Sequence, residues 1–277
     1  LFEVEKRELK YWNDRTTPYS DDEPLWLPSG AYGVVRTDTQ TLLGVVSDRY
    51  EIVQNEALLR MAEFIREEAE MDSVVVLADG AKVAFTATIR GANADIIPGD
   101  NVFQRIVGYL GHDGRTGCGA IFTNVRVVCQ NTLALAQQGR NKATITHKQG
   151  ANQDFTSLIQ TIDVARQSFT EECELMREFT RYIINEDAFV DFVNQVYDVD
   201  EDETFKKRDK LRQIYRTGLG MSYAPNSLWN AVNAVTQLET STKNQTAAGA
   251  KRQFHRANFG SGLQYSKKAM AVASSWL

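Results

Sequence analysis

The stretch GYLGHDGRTGCGAIFTNVRVVCQNTLALA, Gly108 to Ala136, gathers His112, Asp113, Cys118, Asn124, Arg126, Cys129 and Asn131 into one run. Two chemistries would use such residues. Cys129 could act as a nucleophile with His112 as its base, or His112, Asp113, Cys118, Cys129 and His147 could hold a metal. Neither set has a recognisable spacing, and a structural reading explains each residue separately. His112-Asp113-Gly114 is a hairpin turn, Cys118 and Cys129 are small apolar side chains, and Asn131-Thr132 caps a helix through Leu133 and Leu135. We adopt that reading, so no metal and no cofactor is expected. Arg126 and Asn124 stay open. They stand where a strand end feeds the expected helix start, a place whose free N–H groups favour an anion and where an Arg adds paired hydrogen bonds. The alternative is an Arg that ties down loops.

Asp48-Arg49-Tyr50 could pair an acid with a base, but an internal Asp–Arg tether beside a packed Tyr is the expected role. Carboxylate runs such as Glu67-Glu68, Asp21-Asp22 and Asp200 to Glu203 read as solvated faces. No GxxxxGK[ST], GxGxxG after a strand, HExxH or GxSxG occurs, which disfavours an enzyme built on a familiar cofactor. An enzyme centred on Arg49, His112 and Arg126 is kept only as the third reading.

Charge is the stronger signal. The net charge of −5 hides segments of opposite sign: residues 158–203 hold 3 Lys/Arg against 13 Asp/Glu, and residues 204–277 hold 12 against 2. Lys206, Lys207, Arg208, Lys210, Arg212 and Arg216 crowd one short segment. In AKRQFHRANF, Lys251, Arg252, His255 and Arg256 alternate with Phe254 and Phe259. Cations contact phosphates and aromatics stack on unpaired bases, so this mixture suits single-stranded nucleic acid better than a duplex. Arg126, Arg140 and Lys142 are added as further phosphate contacts. The competing reading is a basic face neutralised by the acidic segment, within one chain or between copies.

The elements that must position these groups follow from pattern. The composition, 43% hydrophobic and 24% charged over 277 residues, supports a packed core. No run of about 18 apolar residues occurs, so no membrane span is expected. Three cysteines without a CxxC pair fit a reduced cytoplasm. Residues 1–30, broken by Pro18, Pro24 and Pro28, form an extended arm anchored by Trp12, Trp26 and Leu27. Residues 31–150 form an α+β core: hairpins at Asp38-Thr39-Gln40, Asp79-Gly80 and His112-Asp113-Gly114 build a curved antiparallel sheet, with a helix capped by Asn55. Residues 151–277 are helical. Phe155, Leu158, Ile162, Ala165, Phe169, Cys173, Met176, Phe179 and Ile183 mark the buried stripe of a long helix. A basic helix carries Leu211, Ile214 and Tyr215 inward, and two last helices are joined by a Gly- and Asn-containing stretch from Lys243 to Gly262.

At LLGVVSDRYEIVQNEAL, FTNVRVVCQNTL, NSLWNAVNAVTQLE and NFGSGLQYSKKAMAVA the chain resembles the phage/plasmid-like family termed domain of unknown function 932. The resemblance runs from about Phe2 to the C-terminus and supplies no catalytic residues. It marks Asp48, Arg49, Tyr50, Asn124, Cys129 and Asn131 as candidates without roles. It implies a mobile-element protein, and by fold-level analogy with phage annealing proteins it points to single-stranded DNA binding, strand annealing without a cofactor, and a homo-oligomeric ring or filament. The alternative is an interaction protein that sequesters a host defence or restriction component.

Overall fold

The computed structural model describes residues 1–13, 25–126, 131–133, 142–145, 156–199, 206–240 and 246–277. The α+β expectation holds, with antiparallel sheets first and helices after. Strands β1 (Val4–Asn13), β2 (Leu25–Arg36) and β3 (Leu42–Val46) form a small sheet in that order. Its predicted hairpin is closed by Gln40, whose φ is 58° and whose N–H donates to the Arg36 carbonyl at 3.0 Å. The N-terminal arm is therefore part of a sheet. Pro28 is tolerated because β3 pairs with β2 only at residues 32–35, beyond it. Trp12 and Trp26 do not anchor the arm in the core: they sit opposite each other edge to face at 5.2 Å, 48% and 56% exposed.

The larger sheet has the order β4 (Ala69–Leu77), β5 (Lys82–Ile97), β6 (Asp100–Gly111), β7 (Cys118–Arg126) and β8 (Asn131–Leu133), with β9 (Lys142–Ile145) also paired to β7. The Asp79-Gly80 turn is present, with φ of 55° and 113°. At the His112 turn, Asp113 accepts from the N–H groups of Arg115 and Thr116 at 2.9 and 2.6 Å, a side chain closing its own turn. A register shift between Thr88 and Asn93 bends β5. The segment after Arg126 departs from expectation: Asn131-Thr132 pairs with β7 as β8 and caps no helix.

Alternation sets the core. Val83, Phe85, Ala87, Ile89, Val102, Ile106, Leu110 and Phe122 face inward toward α1 (Glu56–Phe64), α2 (Thr156–Arg181) and α5 (Leu228–Thr240). Gly108 lies opposite Phe85, and a Cβ there would stand 2.2 Å from the Phe85 ring. In α1 the predicted residues Leu58, Ala62 and Ile65 are buried, whereas Leu59 is 49% exposed. Asn55 is no cap: its amide donates to the Phe2 carbonyl and its oxygen meets His112 Nε2 at 3.0 Å, sewing the N-terminus to the core.

In α2, Leu158, Ile162, Ala165, Phe169, Cys173, Met176 and Phe179 are buried as predicted; Ile183 lies past its end and is exposed, and Phe155 is outside the described residues. Then come α3 (Glu186–Tyr197), α4 (Arg208–Thr217), α6 (Ala247–Phe259) and α7 (Ser261–Ser274). The stretch from Lys243 to Gly262 is no mere connector, because it contains α6, capped by the Thr246 hydroxyl on the Gly249 N–H at 3.1 Å. Helix α5 is buried on almost every side, wrapped by α2, α3, α4, α6 and α7. No described helix is long and apolar enough to cross a membrane.

Candidate nucleic-acid interface

The fold brings the two basic segments together through one acid. Glu239, near the end of α5, is fully buried. Its carboxylate accepts from the Tyr197 hydroxyl at 2.8 Å, from Lys207 Nζ at 2.7 Å and from Arg256 Nη2, while its backbone carbonyl accepts from Gln253 at 3.2 Å. Thus α3, α4, α5 and α6 meet there. Lys207 also lies 5.0 and 5.3 Å from the ring centroids of Tyr197 and Tyr265, where ring faces attract a cation. Burial, and after it Arg256, pull the Lys207 ammonium below its ordinary value; burial pushes the Tyr197 phenol well above its own. Two cations face one carboxylate, and their side chains stay 40% and 39% exposed, so the cluster presents excess positive charge at the surface. Lys206, Lys210, Lys251 and Arg252 beside them are exposed, as is Lys267 on α7.

The remaining candidates separate. Arg208 donates to Asn194 Oδ1 at 3.0 Å, and Arg212 and Arg216 both clasp Glu186 at the start of α3. That face of α4 is bound to the acidic segment, as the neutralisation reading expected. Phe254 is corrected as a base-stacking residue: with Phe259 it packs on Ala84, Val107 and Tyr109, covering the outer face of the large sheet. Burial, and after it Lys82, lower the His255 pKa, which weakens it as a cation.

Arg126 is corrected as a phosphate contact. It is fully buried, its guanidinium bonded to both oxygens of Asp100 at 2.6 Å and to the Gly220 carbonyl at 2.8 Å. Trp229 Nε1 donates to the same Asp100 at 2.9 Å, so this pair locks the β6 start and β7 end to α5. Among the described residues the segment after β7 is strand β8, where the helix start of the expected anion site was placed. Asn124 is buried too and donates to Glu172 of α2. Asp48 and Arg49 are exposed and make no ion pair with each other; instead Lys6 Nζ donates to the carbonyls of Asp48 and Tyr50. The hydroxyl of half-buried Tyr50 reaches the Gly111 carbonyl at 3.4 Å. His112 and Arg126 lie at opposite ends of the β6–β7 hairpin, so the Arg49, His112, Arg126 enzyme centre does not assemble. Burial pushes the Cys118 and Cys173 thiols up to about 12 and about 11, away from nucleophilic use. Cys129, His147 and Arg140 lie outside the described residues; the backbones of Asn131 and Lys142 belong to β8 and β9. Among the described residues no cluster of three or more His, Cys, Asp or Glu could hold a metal.

Glu239 and Tyr265 were missed by sequence reasoning. A signal existed for the acid, because Glu239 and Asp209 are the only carboxylates among residues 204–277. One family model, described as a domain of unknown function (DUF932), matches residues 42–259, more than half of the chain. No curated protein and no solved structure matches it.

Proposed function

This chain belongs to the DUF932 family, and from its own surface we propose that it binds single-stranded nucleic acid, DNA in the first place, along the face built by α4, α6 and α7. The observation that carries this reading is the convergence of Lys207 and Arg256 on Glu239, with Lys206, Lys210, Lys251 and Arg252 exposed around them. Phosphates meet the cations, and half-buried Tyr265, whose ring centre lies 5.3 Å from Lys207 Nζ, supplies an aromatic surface beside them. Strand annealing on a mobile element would be a use of the same face by several subunits.

Anisotropy titration of a labelled oligothymidylate against salt tests it. Lys206→Glu, Lys210→Glu and Arg252→Glu together remove three exposed cations. The salt slope should then fall by about 0.7 per lost contact. An unchanged slope, or no salt-sensitive binding by the unaltered protein, refutes the site.

A further inference from the structure

Among the described residues strand β4 ends the large sheet, and we infer that its edge pairs with β4 of a second copy of this chain. Open edges template pairing with other chains, and proteins blunt them with charge, proline or a cover. This protein does so elsewhere. Strand β1 carries Lys6, Arg7, Glu8 and Lys10. Strand β3 is covered at Gly44, where a Cβ would stand 2.6 Å from the Asp113 backbone. Strand β7 is flanked by β8 and β9.

From Ser73 to Leu77, the run SVVVL, strand β4 carries neither charge nor proline, and although α6 approaches it, Ser73 and Val74 stay exposed. Beyond its ladder with β5, no backbone hydrogen bond is formed by residues 70–77 among the described residues. Val74 and Met71 are 48% and 44% exposed, and Met71 lines a groove of about 560 Å³ between β4 and α1 whose floor is Ala62, Ile65 and Ala87 and whose lining also holds the charged Glu63, Arg66 and Arg90.

The faces of the strand select the occupant. Val74 and Val76 stand opposite Phe85 and Val83 and belong to the inner face; Ser73, Val75 and Leu77 stand opposite Thr86, Ala84 and Lys82 and belong to the outer one. A partner strand must carry no charge opposite Ser73–Leu77, which the same run of a second β4 satisfies. A two-fold axis through Val75 places Val74 beside the partner's Val76 and Ser73 beside the partner's Leu77, keeping inner face on inner face. The bulge at Asp72 and the turn from Ala78 to Gly80 bound the pairing at both ends, so Glu70 and Asp72 fall outside it. Such a contact is isologous and closes at two subunits.

Sedimentation of the full chain over a hundredfold concentration range should show a monomer–dimer equilibrium that persists at about 1 M salt, where the Debye length is only about 3 Å. Val74→Lys, at an exposed position, should weaken the dimer tenfold or more while circular dichroism stays unchanged. Val75→Cys should cross-link to itself under mild oxidation, since directly opposed Cβ atoms stand about 4.5–5.5 Å apart. Ser73→Cys is more exposed, yet it meets its own copy only at about 13 Å, four residues along the ladder. Its cross-link should form at least tenfold more slowly. A monomer at every concentration, equal cross-linking of the two cysteines, or a dimer untouched by a folded Val74→Lys protein overturns the inference.

Discussion

Glu239→Gln separates stability from binding, because the buried carboxylate does two opposed things at once. It holds Lys207, Arg256 and Tyr197 in place, and it cancels part of the charge that a phosphate would meet. The amide keeps the shape and removes the charge. Removing one partner of a buried ion pair costs about 3–5 kcal/mol, but both cations here are about two-fifths exposed and solvent screens them, so about 1–3 kcal/mol is expected. A phosphate held by the two cations would lie about 6 Å from the carboxylate, where repulsion is about 0.7 kcal/mol at bulk dielectric and about 2.8 kcal/mol at an effective dielectric of 20. For a site open on one side, about 1 kcal/mol applies, or about fivefold tighter binding. Urea denaturation should therefore show a less stable protein, and anisotropy at about 0.1 M salt should show a tighter complex. A folded Glu239→Gln protein that binds more weakly would refute the claim that phosphate meets Lys207 and Arg256 beside this acid.

Arg126→Met should cost about 3–5 kcal/mol by stranding buried Asp100, while affinity per folded molecule stays unchanged in the same titration. Gly108→Ala forces a methyl into the Phe85 ring and should cost about 1–3 kcal/mol or more in a urea melt, a cost that adding Phe85→Leu should partly relieve. Burial alone would raise the Asp113 carboxyl, but the N–H groups of Thr116 and Arg115, the Thr116 hydroxyl and Lys82 hold it below its ordinary value. Its contribution is fully present above the unfolded carboxyl pKa of about 3.9 and is lost as pH falls through the lower folded value, so the Asp113→Asn deficit seen in urea midpoints at pH 7 should start to shrink near about pH 3.9 and vanish once the pH is below the folded value.

Periodicity made most elements legible. The three-and-four spacing from Leu158 to Phe179 describes α2, and the Asp-Gly dipeptides at 79–80 and 113–114 locate two hairpins, because these signals are local. The errors arise where distant partners decide. Asn131-Thr132 looks like a cap until β7 recruits it as a strand, and Asn55 gives its side chain to Phe2 and His112. Arg126 reads as an anion contact only while Asp100, 26 residues away, is out of view. Phe254 resembles a stacking platform until α6 lays it against the outer face of the sheet. The cations of 206–210 and 251–256 were visible as composition, but their shared acid required the fold.

The match to the family stops at Phe259, whereas the packing does not. Helix α7 follows immediately, and its Ala269, Met270 and Ala273 lie wholly buried in the main core, next to α5. Since α5 has almost no solvent face of its own, detaching α7 would bare one flank of the central helix together with Tyr265 and the Tyr197–Lys207 cluster. At the other end, β1 lies before Leu42, yet Val4 and Phe2 are tied to Gln54 and Asn55. The span matched by the family model and the limits of cooperative unfolding are thus different lines on this chain. Hydrogen exchange should find α7 and α5 opening together, and a polypeptide trimmed to residues 42–259 should behave as a sticky, partly opened species rather than as a smaller domain.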